Sequence, residues 1–395
     1  MRPVVVIGVG MHRFGKFLDT SLKELVRVAV WNAINDAGID PRSIEAAYVG
    51  SSMVGLMTGQ EAVRGQVVLR YAGFGGIPIT NVENACASSS TAFRDAFIAV
   101  GAGVHDVVLA VGMEKLYAND LAKSLQALGS ASDVEGEGGL GLQFSAVYAM
   151  LLRRMMAEHD WTVEDFARVV VKNSYNGSLN PYAQFQKPLP LEKVLSGPVV
   201  ADPLTLYMVS PLGDGAAAAI ICAEEWARRQ GCAGLVRVRA SAMRSGSWRP
   251  YDYQGPTTSA LTAQEAYRQA GVGPEDIDVA EVHDAMAPAE LKCYEDLGFC
   301  APGESAQLIR EGKTNLDGAI PVNTSGGLAA RGHPVGATGL GQIAEIVWQL
   351  RGQAGQRQVR RKGGDWPRLG LAHNEGGFVD GDVGISVIHI LERVG

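Results

Sequence analysis

The chain is short of cysteine, of charge and of aromatic rings, and each shortage excludes something. Its five cysteines, Cys86, Cys222, Cys232, Cys293 and Cys300, are odd in number and form no Cys-x-x-Cys pair. That argues against a disulfide framework and a zinc site, and points to a reducing compartment. Only 19% of the 395 residues are charged and the net charge is −7, so neither nucleic acid nor an anionic membrane is an expected partner. The one basic cluster, residues 357–362, reads as a solvated loop. No stretch approaches the ~20 apolar residues of a membrane span. The apolar run at residues 4–7 gives way to Gly and His too early for a signal peptide, so it reads as a buried first strand of a cytoplasmic protein.

What is abundant is small and apolar. Hydrophobic residues make up 47% of the chain and 49 residues are glycine, enough for a large core with close helix–sheet packing in one big or two similar domains. Residues 37–50 (AGIDPRSIEAAYVG) align without gaps to residues 270–283 (AGVGPEDIDVAEVH), with six identities in fourteen positions. Each segment follows a helix-periodic stretch, with Leu22, Leu25, Val26, Ala29 and Ala33 on one face in the first copy, and each leads into a strand. The same offset sets residues 4–10 against 237–243, a second strand-like pair. A duplicated α/β unit is therefore expected, with halves at 1–232 and 233–395. Residues 116–205 differ in texture. They are Gly-rich, then Met-rich, then loop-like through 173–190, and read as an insertion over the first half that builds a substrate pocket.

Cys86 stands immediately before a run of small residues and a helical pattern (VENACASSSTAF). A helix starting there would turn unpaired N–H groups toward the sulfur and lower the thiol pKa, although most free cysteines are simply buried. His333, in the Gly-rich stretch GHPVGATG, occupies the corresponding turn of the second half. His283 and His373 end strands of that same half. Three histidines at strand and loop ends of one half favour a site over isolated structural roles, and no His-x-His or HExxH spacing supports a metal. His12, His105, His159 and His389 lack such a setting and read as structural or exposed.

These stretches resemble the thiolase superfamily over almost the whole chain: NACASSSTAF around Cys86, SPLGDGAAAAI from Ser210, VHDAMA around His283, NTSGGLAARGHPVGATG around His333 and HNEGG from His373. The sequence is more similar to archaeal-type and sterol-carrier-protein-like (lipid-transfer) thiolases than to the biosynthetic or degradative ones, because His-Asp-Ala-Met stands where those have Asn-Glu-Ala-Phe. The resemblance implies a five-layered α-β-α-β-α fold of two duplicated βαβαβαββ halves with an inserted loop domain. It also implies a homodimer or dimer of dimers, coenzyme A thioesters as substrates with no further cofactor, and a small OB-fold, zinc-ribbon protein as a partner. Carried over by position, Cys86 is the acyl-accepting nucleophile, His333 its base, and His283 with His333 the pair near the second thioester oxygen. The backbone N–H groups of Cys86, Gly376 and Gly377 form the oxyanion hole.

One departure matters. Most thiolases carry a second cysteine as acid/base at the α-carbon, in a Cys-x-Gly loop or a His-Asp-Cys-Phe motif. Here those places hold His373 and Ala285, which makes His373 the candidate for that proton transfer. Acyl-CoA C-acyltransferase chemistry is the expected activity. A ketosynthase- or retro-aldolase-like relative and a non-catalytic acyl-lipid carrier are the alternatives. Pocket walls are sought in Met150, Met155, Met156, Tyr182 and Phe185.

Overall fold

The computed structural model of the protein describes every residue except 250–252, 254, 362 and 395. The first half runs β1 (Val4–Met11), α1 (Leu22–Ala37), β2 (Ala46–Gly50), α2 (Val54–Thr58), α3 (Arg64–Tyr71), β3 (Ile79–Val82), α4 (Ser88–Gly101) and β4 (Val107–Lys115). An excursion follows, with α5 (Leu121–Gly129), α6 (Phe144–Glu158), α7 (Val163–Ser178), α8 (Leu191–Leu195) and the small strands β5 (Val199–Ala201) and β6 (Leu204–Thr205). The half closes with β7 (Asp214–Ala223) and α9 (Glu224–Arg229). The second half comprises β8 (Val236–Ser245), α10 (Thr258–Ala270), β9 (Val279–Glu281), α11 (Ala289–Asp296), α12 (Ser305–Arg310), α13 (Gly327–Arg331), α14 (Thr338–Arg351), β10 (Leu369–Val379) and β11 (Asp382–Arg393).

The duplication extends well past the fourteen aligned residues. Strand order is β3-β2-β4-β7-β1 in the first half and β8-β11-β10-β9 in the second, with β1 paired to β8 where the two meet. Read outward from that seam, β1, β7, β4 and β2 correspond to β8, β11, β10 and β9. Helices α1 and α10 start alike, with Ser21 Oγ accepting from Glu24 N and Thr257 Oγ1 from Ala260 N, and end alike at left-handed Gly38 and Gly271. Such caps satisfy the free N–H groups of a first turn, and glycine is the residue that adopts the left-handed exit at little cost. A 3-10 turn opened by Pro41 or Pro274 comes next in each copy.

Helices α4 and α14 touch each other and strands of both halves, while α1 covers β1 and β7, and α10 covers β8 and β11. That gives the expected helix–sheet–helices–sheet–helix layering. It also seats α4 and α14, preceded by 3-10 turns at Ala85–Ala87 and Val335–Ala337, back to back in the middle. Both helices are mostly small or apolar, as burial between the halves demands, and Glu345 of α14 is paired with Arg357 where it is buried. Among the described residues no helix is long and apolar enough to cross a membrane.

Two sequence readings change. The 173–190 stretch was expected to be loop, yet its first residues finish α7, because Asn173 and Asn176 are buried and hydrogen-bonded to Asp284, Glu290 and the Asn323 carbonyl. Tertiary partners there override the turn-forming tendency of Asn and Gly. Nor is Arg357 solvated: it is 4% exposed and its Nη2 lies 2.8 Å from the Glu345 carboxylate.

Candidate active site

Cys86 sits in the 3-10 turn that precedes α4, one residue past Ala85, whose φ of 47° is left-handed. A β-carbon in that region is strained, and the turn is held against it. Ala85 N donates to Glu83 Oε1 (2.7 Å), Asn84 N to Ser88 Oγ (2.9 Å) and Ser88 Oγ to Ala85 O (2.6 Å). Cys86 as a residue keeps partial exposure while its neighbours Ala85, Ala87 and Ser88 are buried, and its sulfur is packed round by protein. The N–H groups of Gly377 and of Cys86 itself face the sulfur.

Gly376 and Gly377, paired in the sequence reading, have separate tasks. A Cβ on Gly376 would lie 2.3 Å from Asn84 O and 3.0 Å from Ala87 N, so its bare backbone lets β10 press against the nucleophile turn. Gly377, at φ 68°, is the one whose N–H reaches the thiol.

The equivalent turn of the second half brings His333, and the end of β9 brings His283. The Cys86 sulfur and one nitrogen of each ring all lie within 4.8 Å of one another, and the two rings meet edge to face with centroids 5.2 Å apart. His333 Nδ1 is 2.7 Å from Thr338 Oγ1, which in turn lies 3.2 Å from Pro334 O. Both bonds are made only if Nδ1–H donates to the hydroxyl and the hydroxyl donates to the carbonyl. The lone pair is then on Nε2, the form a general base requires. His283 Nδ1 is 2.9 Å from the Asn374 side-chain amide.

Electrostatics set the starting charges. Burial, with His283 and Arg331 adding to it, holds His333 well below the usual imidazole range, and burial brings His283 down to about 4. Both rings are therefore neutral at physiological pH. The thiol departs from its expected state. Burial first, and the Glu114 carboxylate after it, together push the Cys86 thiol up to about 12, against the pull of the Gly377 and Cys86 N–H groups. In this resting geometry the helix terminus does not prevail over desolvation. The resting pair is thiol and neutral imidazole, and the proton moves only when the sulfur attacks.

His373 does not join the three. Successive strand residues face opposite ways, and while Asn374 turns toward His283, His373 turns to the other side of β10. There its Nε2 lies 3.1 Å from Ser259 Oγ and 3.4 Å from Glu375 Oε1, and the residue is fully buried. His373→Gln is accordingly expected to leave Cys86 acylation and turnover close to those of the parent. Separate measurement of burst labelling and steady-state thiolysis checks this; loss of turnover with labelling intact would return the proton-transfer role to His373.

Sequence reasoning also missed Glu114, Thr338 and Asn374. Glu114 Oε2 accepts from Gly336 N (3.0 Å), Ser52 N and Met53 N (3.2 Å each), tying the His333 turn to the first half. Glu281 and Arg331, each two residues ahead of a site histidine, form a buried pair at 3.2 Å. The proposed pocket residues are scattered: Met155 is core, Tyr182 stacks on Trp348, and Met150 and Phe185 point to solvent. From the inserted region it is Tyr148 on α6 that comes within electrostatic reach of Cys86 and Glu375. Burial, followed by those neighbours, raises its phenol well above its ordinary pKa.

Residues 4–225 match the family described as Thiolase, N-terminal domain, and residues 249–393 the one described as Thiolase C-terminal domain-like. The chain belongs to the thiolase family. It is 42% identical over 396 residues to the acetyl-CoA acetyltransferase of Methanothermobacter thermautotrophicus, covering 100% of both chains. It is 37% identical over 95% of each chain to the benzoylsuccinyl-CoA thiolase subunit BbsB of Thauera aromatica. A solved structure described as Ltp2-ChsH2(DUF35) aldolase superposes with a TM-score of 0.78 at 26% identity, covering 99% of this chain and 98% of that one. As a thiolase the protein is an acyltransferase. Cys86, His283 and His333 are also spaced as metal donors would be, but a thiol and its base need the same closeness, and family membership favours that use.

Proposed function

We propose that this thiolase makes or cleaves 3-ketoacyl-CoA through an acyl thioester on Cys86. The reading rests on the approach of Cys86, His283 and His333 to within 4.8 Å beside the Gly377 N–H. As the sulfur attacks the acyl-CoA carbonyl, His333 Nε2 takes the thiol proton and the Cys86 and Gly377 N–H groups receive the oxyanion. Dipoles already aimed at that position need no reorganisation as charge develops. Collapse expels the coenzyme A thiolate, which recovers the proton from His333. The acyl group is then on Cys86 and His333 is again neutral.

A second acyl-CoA then places its thioester oxygen at His283, and the α-carbon loses a proton to the His333 nitrogen that faces the same space. The resulting enolate attacks the acyl-cysteine carbonyl, the bond to sulfur breaks with Cys86 leaving as thiolate, and that thiolate recovers the proton from His333; reversal of these steps is thiolysis. Covalent catalysis divides the hard transfer into two easier ones. Incubation with acetyl-CoA should add one acetyl group to Cys86 by mass spectrometry, and free coenzyme A should cleave acetoacetyl-CoA or a longer 3-ketoacyl-CoA. A carrier would give neither result, and a retro-aldolase would release an aldehyde or ketone without labelling the cysteine.

The wider setting belongs to the same proposal. The outer edge of β3 pairs with no strand among the described residues, which suits a homodimer or dimer of dimers, since open sheet edges are ordinarily covered. A small OB-fold, zinc-ribbon partner is supported by two relatives, one described as a subunit and the other as a two-component complex. The protein works in the cytoplasm with coenzyme A thioesters and no other cofactor. Co-purification from the native cell, followed by size-exclusion chromatography, tests both assemblies.

A further inference from the structure

Resting on the thiolase reading, we infer that Asn374, anchored by Ser90, is a positioning residue that fixes His283 in the tautomer carrying its proton on Nε2, toward the reacting thioester. Three observations carry this. Asn374 Nδ2 is 2.9 Å from His283 Nδ1, Ser90 Oγ is 3.0 Å from Asn374 Oδ1, and all three side chains are at most 3% exposed. Ser90 projects from the nucleophile helix α4, so one buried chain of hydrogen bonds runs from the helix behind Cys86 through β10 to the imidazole beyond it.

The orientation of the amide follows from its two ends. Ser88 and Thr91 send their hydroxyl protons back to carbonyls of their own turn, at Ala85 and Ala87. Ser90 makes no such bond among the described residues, so its proton is free for Asn374 Oδ1. With the amide reversed, that buried hydroxyl would keep a proton with no acceptor, a cost of about 1–3 kcal/mol. Seated by Ser90, the amide offers N–H to His283, whose Nδ1 must then accept, and the ring's single proton lies on Nε2. Space permits little else: a Cβ on Gly339 would come 2.1 Å from Ser90 Oγ and 2.8 Å from Asn374 Oδ1, so α14 closes over the chain.

The two imidazoles are thereby set in opposite senses. Thr338 leaves His333 with a lone pair on Nε2, and Asn374 leaves His283 with a proton there. Both rings are neutral, and one is a base while the other is a donor for the charge that builds on the second thioester oxygen. The chemistry of Cys86 acylation needs only the first, and enolate formation needs both. An amide thus does for a neutral donor what a carboxylate does for a neutral base in serine hydrolases, where the wrong tautomer is severely disabling.

The test is Asn374→Asp. Aspartate keeps the shape and still accepts from Ser90, but offers His283 an acceptor, drawing the ring proton to Nδ1. In ¹⁵N-histidine-labelled enzyme, His283 should show an unprotonated Nδ1 in the parent and a protonated Nδ1 in the variant. Burst acylation of Cys86 should stay close to the parent while condensation and thiolysis fall about 10²-fold. Ser90→Ala, which releases the amide without adding charge, should give a mixture of tautomers and an intermediate loss. Protonated Nδ1 in the parent, or an Asn374→Asp enzyme with parental turnover, overturns the inference. Failure of the parent itself to acylate Cys86 overturns the thiolase reading instead, so the two failures are distinguishable.

Discussion

Cys86→Ser is expected to lose thioester labelling and coenzyme A-dependent turnover, by at least ~10³-fold, without unfolding. The substitution is nearly isosteric in a turn whose strain and hydrogen bonds belong to Ala85, Asn84 and Ser88 rather than to the sulfur, so circular dichroism should be unchanged. What is lost is chemical. A thiol held at about 12 is already a poor source of thiolate, and a serine hydroxyl is a worse proton donor and a weaker nucleophile against the same neutral imidazole. The high thiol pKa adds a second expectation. In the substrate-free enzyme iodoacetamide should alkylate Cys86 only slowly at neutral pH, whereas an acyl-CoA should label it fast, because the substrate's oxyanion is what draws the proton across to His333. Rapid alkylation without substrate would show that a thiolate is present at rest.

His333→Gln should slow acylation by ~10²-fold or more, the range for a positioned general base. Glutamine can still reach Thr338, so the turn should keep its shape while the acceptor nitrogen disappears. In the parent, the pH dependence should carry the mark of burial. A base is active above its pKa, and His333 and His283 are both held low. Activity should therefore be flat through pH 6.5 and fall only on further acidification toward pH 4. A rate that halves near 6.5 would mean the imidazole is solvated in the working enzyme, and a variant that acylates at the parental rate would remove His333 from the step.

Much of this was legible in the sequence because the relevant signals are local. Pro41 and Pro274 mark the same 3-10 turn in the two copies, and the Gly-rich stretch around His333 could only be a tight turn. The small residues after Cys86 required a helix packed closely on something. Less legible were groups that arrive from far along the chain. Glu114 meets Gly336 across 222 residues, and Asn173 meets Asp284 across 111. Two errors have plain physical reasons. His373 was chosen over its neighbour for its chemistry, although a strand can turn only one of two adjacent side chains toward a site, and here it is Asn374. The thiol was expected to be acidic because a helix start is visible in a sequence, whereas the depth at which it is buried is not.

The back-to-back turns at residues 85–87 and 335–337 bear on the enzyme's ancestry. Each half contributes the same strand-order, the same capped helix and the same turn, yet one turn carries the nucleophile and the other follows directly on its base. A catalytic centre assembled across such a seam is what a symmetric pair of identical half-length chains would have held on its twofold axis. In this chain the first half holds the sulfur and the second holds the imidazoles of His283 and His333. Neither half holds both partners of the proton transfer, so neither, cut from the other, could carry it out.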